Sequence, residues 1–226
     1  MKILSGNQLK IIAILAMTCD HVGVQLLPQY GFLRIIGRLA LPIFAYMIAE
    51  GCRYTKNRVR YLCTVAAVAL LCQVVFFVTE QSLYQCILVT FSLSISWIYA
   101  IDYARNKKTV FSWVLAAVVS GGICFLSIFL PELVKTDYRI DYGIWGILLP
   151  VIIYCAPDPY KIPATALGLV PLCVDMGGSQ WWSLAAVILL ALYSGKRGKA
   201  NLKYLFYIYY PAHLAAIYLI SLFIKP

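Results

Sequence analysis

Two histidines, His21 and His213, and a few charged residues embedded in apolar sequence are the groups of this chain suited to proton chemistry. Thr18, His21 and Gln25 recur at i, i+3 and i+7, so on a helix they form one polar stripe, with Asp20 beside it. Arg34 and Arg38 stand one turn apart in the next apolar segment. A short connection makes the two segments antiparallel neighbours, and Asp20 or His21 can then meet Arg38, the usual compensation for buried charge. His213 lies in Phe206-Tyr207-Ile208-Tyr209-Tyr210-Pro211-Ala212-His213-Leu214. Tyr209 and Tyr210 precede it by four and three residues, within helical reach, and Pro211 frees a carbonyl one turn back.

Each of these groups also has a plainer use. A lone histidine between apolar helices can simply tie them together by a hydrogen bond. Arg34, near the outer boundary, can reach lipid head groups with its long side chain. Glu50, near the inner end of its segment, can pair with Arg53 or another basic loop residue. Most tyrosines elsewhere suit the interfacial belt of a membrane protein.

The elements that carry these residues follow from composition. At 62% hydrophobic and 12% charged over 226 residues, the chain lies outside the range of soluble globular proteins. Its apolar residues come in runs of roughly 17 to 22, the length a helix needs to cross about 30 Å of hydrocarbon. The expectation is an all-α integral membrane protein, a single domain over 1–226. It would be a bundle of about nine transmembrane helices near 8–28, 32–52, 60–79, 83–102, 109–130, 141–157, 161–175, 179–194 and 203–224. The seventh is short, interrupted by Pro171 and Asp175, and either spans or re-enters. The first carries Asp20 and His21 and lacks a small-x-small cleavage site, which argues for a spanning helix over a signal peptide.

The formal charge of +10 is concentrated in short loops. Arg53, Lys56, Arg58 and Arg60 follow the second helix, Arg105, Lys107 and Lys108 the fourth, and Lys196, Arg197, Lys199 and Lys203 precede the ninth. With the N-terminus cytoplasmic all three clusters fall inside, so the charge reads as membrane orientation and not as a nucleic-acid surface. The mixed 131–140 loop, with Glu132, Lys135, Asp137 and Arg139, suits the outer face. Eight cysteines scattered singly, with no CxxC pair or metal-like spacing, read as packing residues; no metal is expected.

Several blocks taken together resemble the TraX family of membrane proteins, named for the F-pilin acetylation protein. They are Leu9-Lys10-Ile11-Ile12-Ala13-Ile14 through Asp20-His21-Val22-Gly23, and Leu33-Arg34-Ile35-Ile36-Gly37-Arg38-Leu39-Ala40-Leu41-Pro42-Ile43-Phe44-Ala45. Glu50-Gly51, Tyr54-Thr55-Lys56-Asn57-Arg58 with Tyr61, Asp141-Tyr142-Gly143 with Gly146, and Tyr210-Pro211-Ala212-His213-Leu214 follow in the family's order. The stretch 83–92 departs from the pattern, with Gln85-Cys86 and Thr90-Phe91 where the family tends to show an asparagine ahead of a Phe-Thr pair.

The family is distantly similar to transmembrane acyltransferases that share a histidine in an early helix and Arg-x-x-x-x-x-Phe in the next, here His21 and Arg38 with Phe44. The resemblance implies a bacterial plasma membrane acetyltransferase that moves an acetyl group from cytoplasmic acetyl-CoA to an amine or hydroxyl. His21 would be the general base. Asp20 would orient it, unless the roughly 100° between adjacent helix positions keeps the two apart. Arg38 would stabilise the thioester oxyanion or hold the CoA pyrophosphate, and its depth favours the first role. Arg53, Lys56, Arg58 and Arg60 would meet the CoA phosphates. His213 is a second base or an acceptor-binding group. Arg34, Glu50, Asp141, Tyr142 and Tyr210 are candidates for acceptor binding, Asp141 reading equally as a helix N-cap. The acceptor stays open among a peptide N-terminus, a glycan and a lipid head group. Intramembrane Asp, His and Arg also suit a proton-coupled transporter, although no inverted repeat is evident, and a non-catalytic scaffold is a third reading.

Overall fold

The computed structural model describes residues 2–199 and 202–224, which are helical apart from turns and two isolated β-bridges, Leu4 with Tyr193 and Gln85 with Ile140. Contacts divide the chain into two compact units, Met1–Met47 with Pro159–Pro226, and Ile48–Asp158.

In the first unit α1 (Gly6–Gln25) opens on a capping box. The Ser5 side chain accepts from the Gln8 N–H, and Gln8 Oε1 accepts from the Ser5 N–H at 2.8 Å. The Gly6 and Asn7 N–H groups donate to the Lys196 and Arg197 carbonyls (2.8 and 2.9 Å), so the basic loop satisfies two more of the donors that a helix start leaves open.

The predicted 32–52 helix is broken, into α2 (Gly31–Gly37) and α3 (Ala40–Tyr54). The cause is local. Pro42 has no N–H for the Arg38 carbonyl one turn back, and its ring crowds that carbonyl. The chain tightens there, with the Leu39 N–H bonded to the Ile36 carbonyl at 3.2 Å. After α9 (Lys161–Met176), which runs unbroken through Pro171, comes a second correction. The predicted 179–194 helix is a 3₁₀ segment, Gly178–Ala185, followed by the short α10 (Ala186–Ala191). Gly177 and Gly178 both take positive φ (63° and 51°), and this turn feeds the tighter helix. α11 (Lys203–Ile224) carries Pro211 inside it. α1 packs on α2 and α11, and α2 packs on the 3₁₀ segment. Of the basic cluster ahead of α11, the Lys203 side chain lies outside the described residues.

The second unit is built around α5 (Ile87–Lys107), which packs against α4 (Arg58–Glu80), α6 (Val110–Cys124) and α8 (Gly143–Cys155). Predicted from residue 83, α5 starts later because 83–86 bond elsewhere. The Leu83 N–H donates to the Asp137 carboxylate (3.1 and 3.2 Å) and the Gln85 N–H to the Arg139 carbonyl (2.7 Å). α6 continues through one π-helical turn, Phe125–Phe129, into α7 (Leu130–Val134), so helix extends into the predicted 131–140 loop. Ile123, Ile140 and Ile147 centre a core with Leu93, Trp97 and Val119 around them. Ser94 Oγ, buried on α5, donates to the carbonyls of Thr90 (2.9 Å) and Ile147 (2.8 Å), tying α5 to α8.

Four helical stretches among the described residues are long and apolar enough to cross a membrane: Gly31–Tyr54, Arg58–Val78, Ile87–Lys107 and Val110–Val134. Gly143–Cys155, Gly178–Ala191 and Tyr207–Phe223 are apolar but shorter. Only 11% of the apolar window of Val110–Val134 is buried, with Val110, Phe111 and Leu133 each 70% exposed or more. A surface of that kind is poorly matched to water and well matched to lipid.

Candidate active site

The first unit brings the two histidines together. His21 Nδ1 lies 2.8 Å from His213 Nε2, and the rings stack with centroids 5.0 Å apart. His213 Nδ1 is 2.9 Å from the Tyr209 carbonyl. A carbonyl can only accept, so His213 Nδ1 carries the hydrogen and, in the neutral pair, His213 Nε2 offers a lone pair. His21 Nδ1 must then donate, which leaves the lone pair of His21 on Nε2. That nitrogen has no hydrogen-bond partner among the described residues. The stack extends to Tyr209, whose ring lies 5.2 Å from His213 at 9°, while its hydroxyl meets Thr18 Oγ1 at 2.7 Å. Tyr210, itself buried, sets its ring edgewise to His213 at 5.5 Å. Thr18 and His21 of the α1 stripe thus meet Tyr209 and His213 of the Tyr-Tyr-Pro-Ala-His run.

Asp20, immediately before His21 on α1, is bonded not to this pair but to the arginines. Arg34 Nη1 donates to Asp20 Oδ2 at 3.3 Å, and Arg38 Nη2 stands 3.9 Å from Asp20 Oδ1. Gly37 makes this approach possible, since a Cβ there would collide with the Asp20 side chain. Arg38 is buried and donates through Nη1 to Gln180 Oε1 at 3.2 Å. The Asp20 carboxylate therefore neutralises arginine charge, and the group that fixes the His21 ring is His213.

The remaining predicted residues belong to the second unit, where two of the four cationic candidates are committed to carboxylates. Arg53 donates to Asp158 (2.9 Å) and to the Tyr154 carbonyl (2.7 Å), with its guanidinium 5.5 Å from the Tyr154 ring centre. The Glu50 to Arg53 pairing that sequence spacing allows is thus replaced by Arg53 to Asp158. Arg58 donates to Asp102 (2.6 Å) and lies over the Tyr99 ring. Lys56 and Arg60 are exposed and have no ion-pair partner among the described residues, which leaves them able to receive phosphate oxygens. Glu50, half-buried, sits on α3 within this unit.

Asp141 is not the N-cap of α8. That place falls to Tyr142, in the left-handed region at φ 59° with no side-chain cap. The Asp141 carboxylate instead accepts from the Tyr84 hydroxyl at 2.6 Å, and its carbonyl accepts from Thr90 Oγ1 at 2.8 Å. Burial and the Asp141 carboxylate beside it push the Tyr84 hydroxyl well above the ordinary tyrosine range. Residues 84, 85 and 90, in the stretch that departs from the family pattern, are therefore engaged in positioning Asp141.

Sequence reasoning passed over Gln180, Asp102 and Tyr154. Asp102 Oδ2 receives both Arg58 Nη2 and the Tyr154 hydroxyl, the latter at 2.5 Å. A signal for Gln180 existed in the amide placed between Gly177-Gly178 and Trp181-Trp182. For Asp102 it was one acid amid the basic residues at the end of α5.

Comparison with known proteins adds to this geometry. A family model described as TraX protein matches residues 5–221. A probable fimbrial assembly protein, FimC of serogroup H1, from Dichelobacter nodosus is 24% identical over 98% of this chain and 97% of its own length. An uncharacterized protein of Rickettsia prowazekii is 29% identical over 66% of this chain, a match that spans 54% of the rickettsial protein. No solved structure matches the chain.

Proposed function

This chain belongs to the TraX family, and from that premise we propose that it is a plasma membrane acetyltransferase that moves an acetyl group from cytoplasmic acetyl-CoA to an amine or hydroxyl. The observation that carries the reading is the relay His21–His213–Tyr209 carbonyl, which leaves a lone pair on His21 Nε2. An acceptor N–H or O–H gives its proton to that nitrogen while attacking the thioester carbon. The tetrahedral adduct collapses with cleavage of the C–S bond, and the thiolate takes the proton back from His21 as free CoA. His213 holds the ring and shares the positive charge of the imidazolium, the part that a carboxylate plays in a serine protease triad. Arg38 supplies positive charge for the developing oxyanion, held in place by Asp20 and Gln180. Asp20 keeps Arg34 and Arg38 together, and in the second unit the exposed Lys56 and Arg60 are suited to phosphate oxygens.

The finer topology belongs to the same proposal: about nine spans, with the N-terminus and the three basic clusters on the cytoplasmic side. The fimbrial assembly name of the Dichelobacter relative supports the N-terminal amine of a pilus subunit as the first acceptor to test. Purified protein in detergent, given acetyl-CoA, is expected to bind it and hydrolyse it slowly, and folded His21→Ala to bind it without hydrolysis. Absence of acyl-CoA binding by well-folded wild type would overturn the proposal.

A further inference from the structure

Gln180 sits in the 3₁₀ segment that packs on α2, 2% exposed, with one half of its amide satisfied. Its Oε1 accepts from Arg38 Nη1. A guanidinium only donates, so the amide orientation is fixed by chemistry, and Nε2, with two hydrogens, faces away from that contact. Nε2 is buried and has no hydrogen-bond partner among the described residues. A buried amide donor left without an acceptor is costly and is seldom kept unless something supplies the acceptor. Asp20 Oδ1, 3.9 Å from Arg38 Nη2, is likewise buried without a hydrogen bond among the described residues, so the cluster is assembled but incompletely satisfied.

We propose that Gln180 is a catalytic residue whose Nε2 donates to the carbonyl oxygen of the acyl thioester, forming with Arg38 a two-part oxyanion site. The inference rests on the acetyl-transfer reading. As the acceptor attacks, the carbonyl π electrons move onto oxygen, and on collapse they return as the C–S bond breaks and the electron pair leaves on sulfur. An amide donor fixed beforehand by Arg38 needs no reorganisation to meet that charge. The 3₁₀ form of the segment serves the same end, since it holds residue 180 in a packed element and not on a free loop.

The discriminating variant is Gln180→Glu. It keeps an oxygen for Arg38 and removes the donor, so a residue that only holds Arg38 would tolerate it. In the full-length protein in detergent, Gln180→Glu is expected to lower kcat for acetyl-CoA hydrolysis about 100-fold with KM within about threefold. Two unreactive CoA thioethers supply the readout that a structural role would not move. Affinity for S-acetonyl-CoA, which keeps a carbonyl, should fall about tenfold, and affinity for S-ethyl-CoA, which has none, should not change. If the glutamate variant does not fold, Gln180→Met removes both the donor and the oxygen for Arg38, and retained kcat in that folded variant would equally overturn the inference. Retained kcat in Gln180→Glu, or equal loss of both analogues in a folded variant, would overturn the inference while leaving acetyl transfer intact. If wild type binds neither analogue, the acetyl-transfer reading itself fails and this inference falls with it.

Discussion

Asp20 in the first unit and Asp102 in the second are both carboxylates held in helical sequence beside arginines, and both side chains are mostly buried. Their surroundings differ in how closely the partners approach. Asp102 Oδ2 takes a guanidinium at 2.6 Å and a phenol at 2.5 Å, and Arg58 finishes over an aromatic ring. Around Asp20 the contacts are longer, 3.3 and 3.9 Å, and Asp20 Oδ1 and Gln180 Nε2 are buried without hydrogen bonds among the described residues. Nearby on the same helix, His21 Nε2 has no hydrogen-bond partner among the described residues. A carboxylate gripped by short contacts works as a structural clasp, whereas one held at longer range leaves its charge and that of its arginines open to a ligand that completes the cluster. The contrast supports the proposed chemistry in the first unit and cohesion in the second, and substitution can break either side of it.

The largest expected effect is on His21. His21→Ala should lower acetyl transfer by about 1,000-fold or more with little change in melting temperature, because a general base contributes about 10²–10⁴. Single-turnover kinetics beside a thermal melt would check it. A melting temperature that collapses with the activity would return His21 to the role of a helix tie.

Next comes the orienting imidazole. His213→Phe keeps the stacking but offers no acceptor to His21 Nδ1, and a loss of about 100-fold in kcat is expected. His213→Gln, whose amide oxygen can accept that hydrogen, should recover about a tenth of wild-type activity. Equal activity of the two variants would show that the stack matters and the hydrogen bond does not.

In the second unit the sign reverses. Asp102→Asn should cost about 1–2 kcal/mol of stability with kcat per folded molecule unchanged. The cost stays below that of a fully buried pair because Arg58 is 44% exposed. Denaturant or thermal unfolding in a fixed detergent measures it, and a variant of normal stability that loses kcat would move chemistry into this unit. The exposed pair Lys56 and Arg60 should matter least to structure. Their joint replacement by Ala is expected to raise KM for acetyl-CoA about fivefold at low salt and less at high salt, which a salt series of KM values would test.

The smallest effect is a pH dependence at the start of α5. Hydrogen bonds from Ser82 and from the Leu83 N–H hold the Asp137 carboxyl below the usual carboxylate range. A depressed folded value means the contribution is present above the unfolded pKa, about 3.9, and is lost as pH falls through the lower folded value. Hydrogen exchange at the Leu83 amide should therefore speed up, relative to its intrinsic rate, only below about pH 4.

The helical segments were legible in the order of the residues because hydrocarbon thickness and backbone satisfaction act on every stretch of about 20 apolar residues alike. The break after Gly37 was also within reach, since Pro42 withholds a donor from residue 38 whatever surrounds it, although apolar length alone passes over it. Spacing along a helix likewise set Thr18 and His21 on one stripe and placed Tyr209 a turn before His213. Tertiary structure decided the partnerships. His21 and His213 are 192 residues apart, and Arg38 and Gln180 are 142 apart. No periodicity reaches that far, and which buried donor meets which acceptor depends on the packing of α1 against α2 and α11. The sequence by itself therefore determined the family, the helices and the scarce polar groups. Only the packed chain decided that His213 meets His21, that Asp20 turns to the arginines, and that Gln180 stands beside Arg38, because a hydrogen bond tolerates a few tenths of an ångström and hydropathy does not record position at that scale.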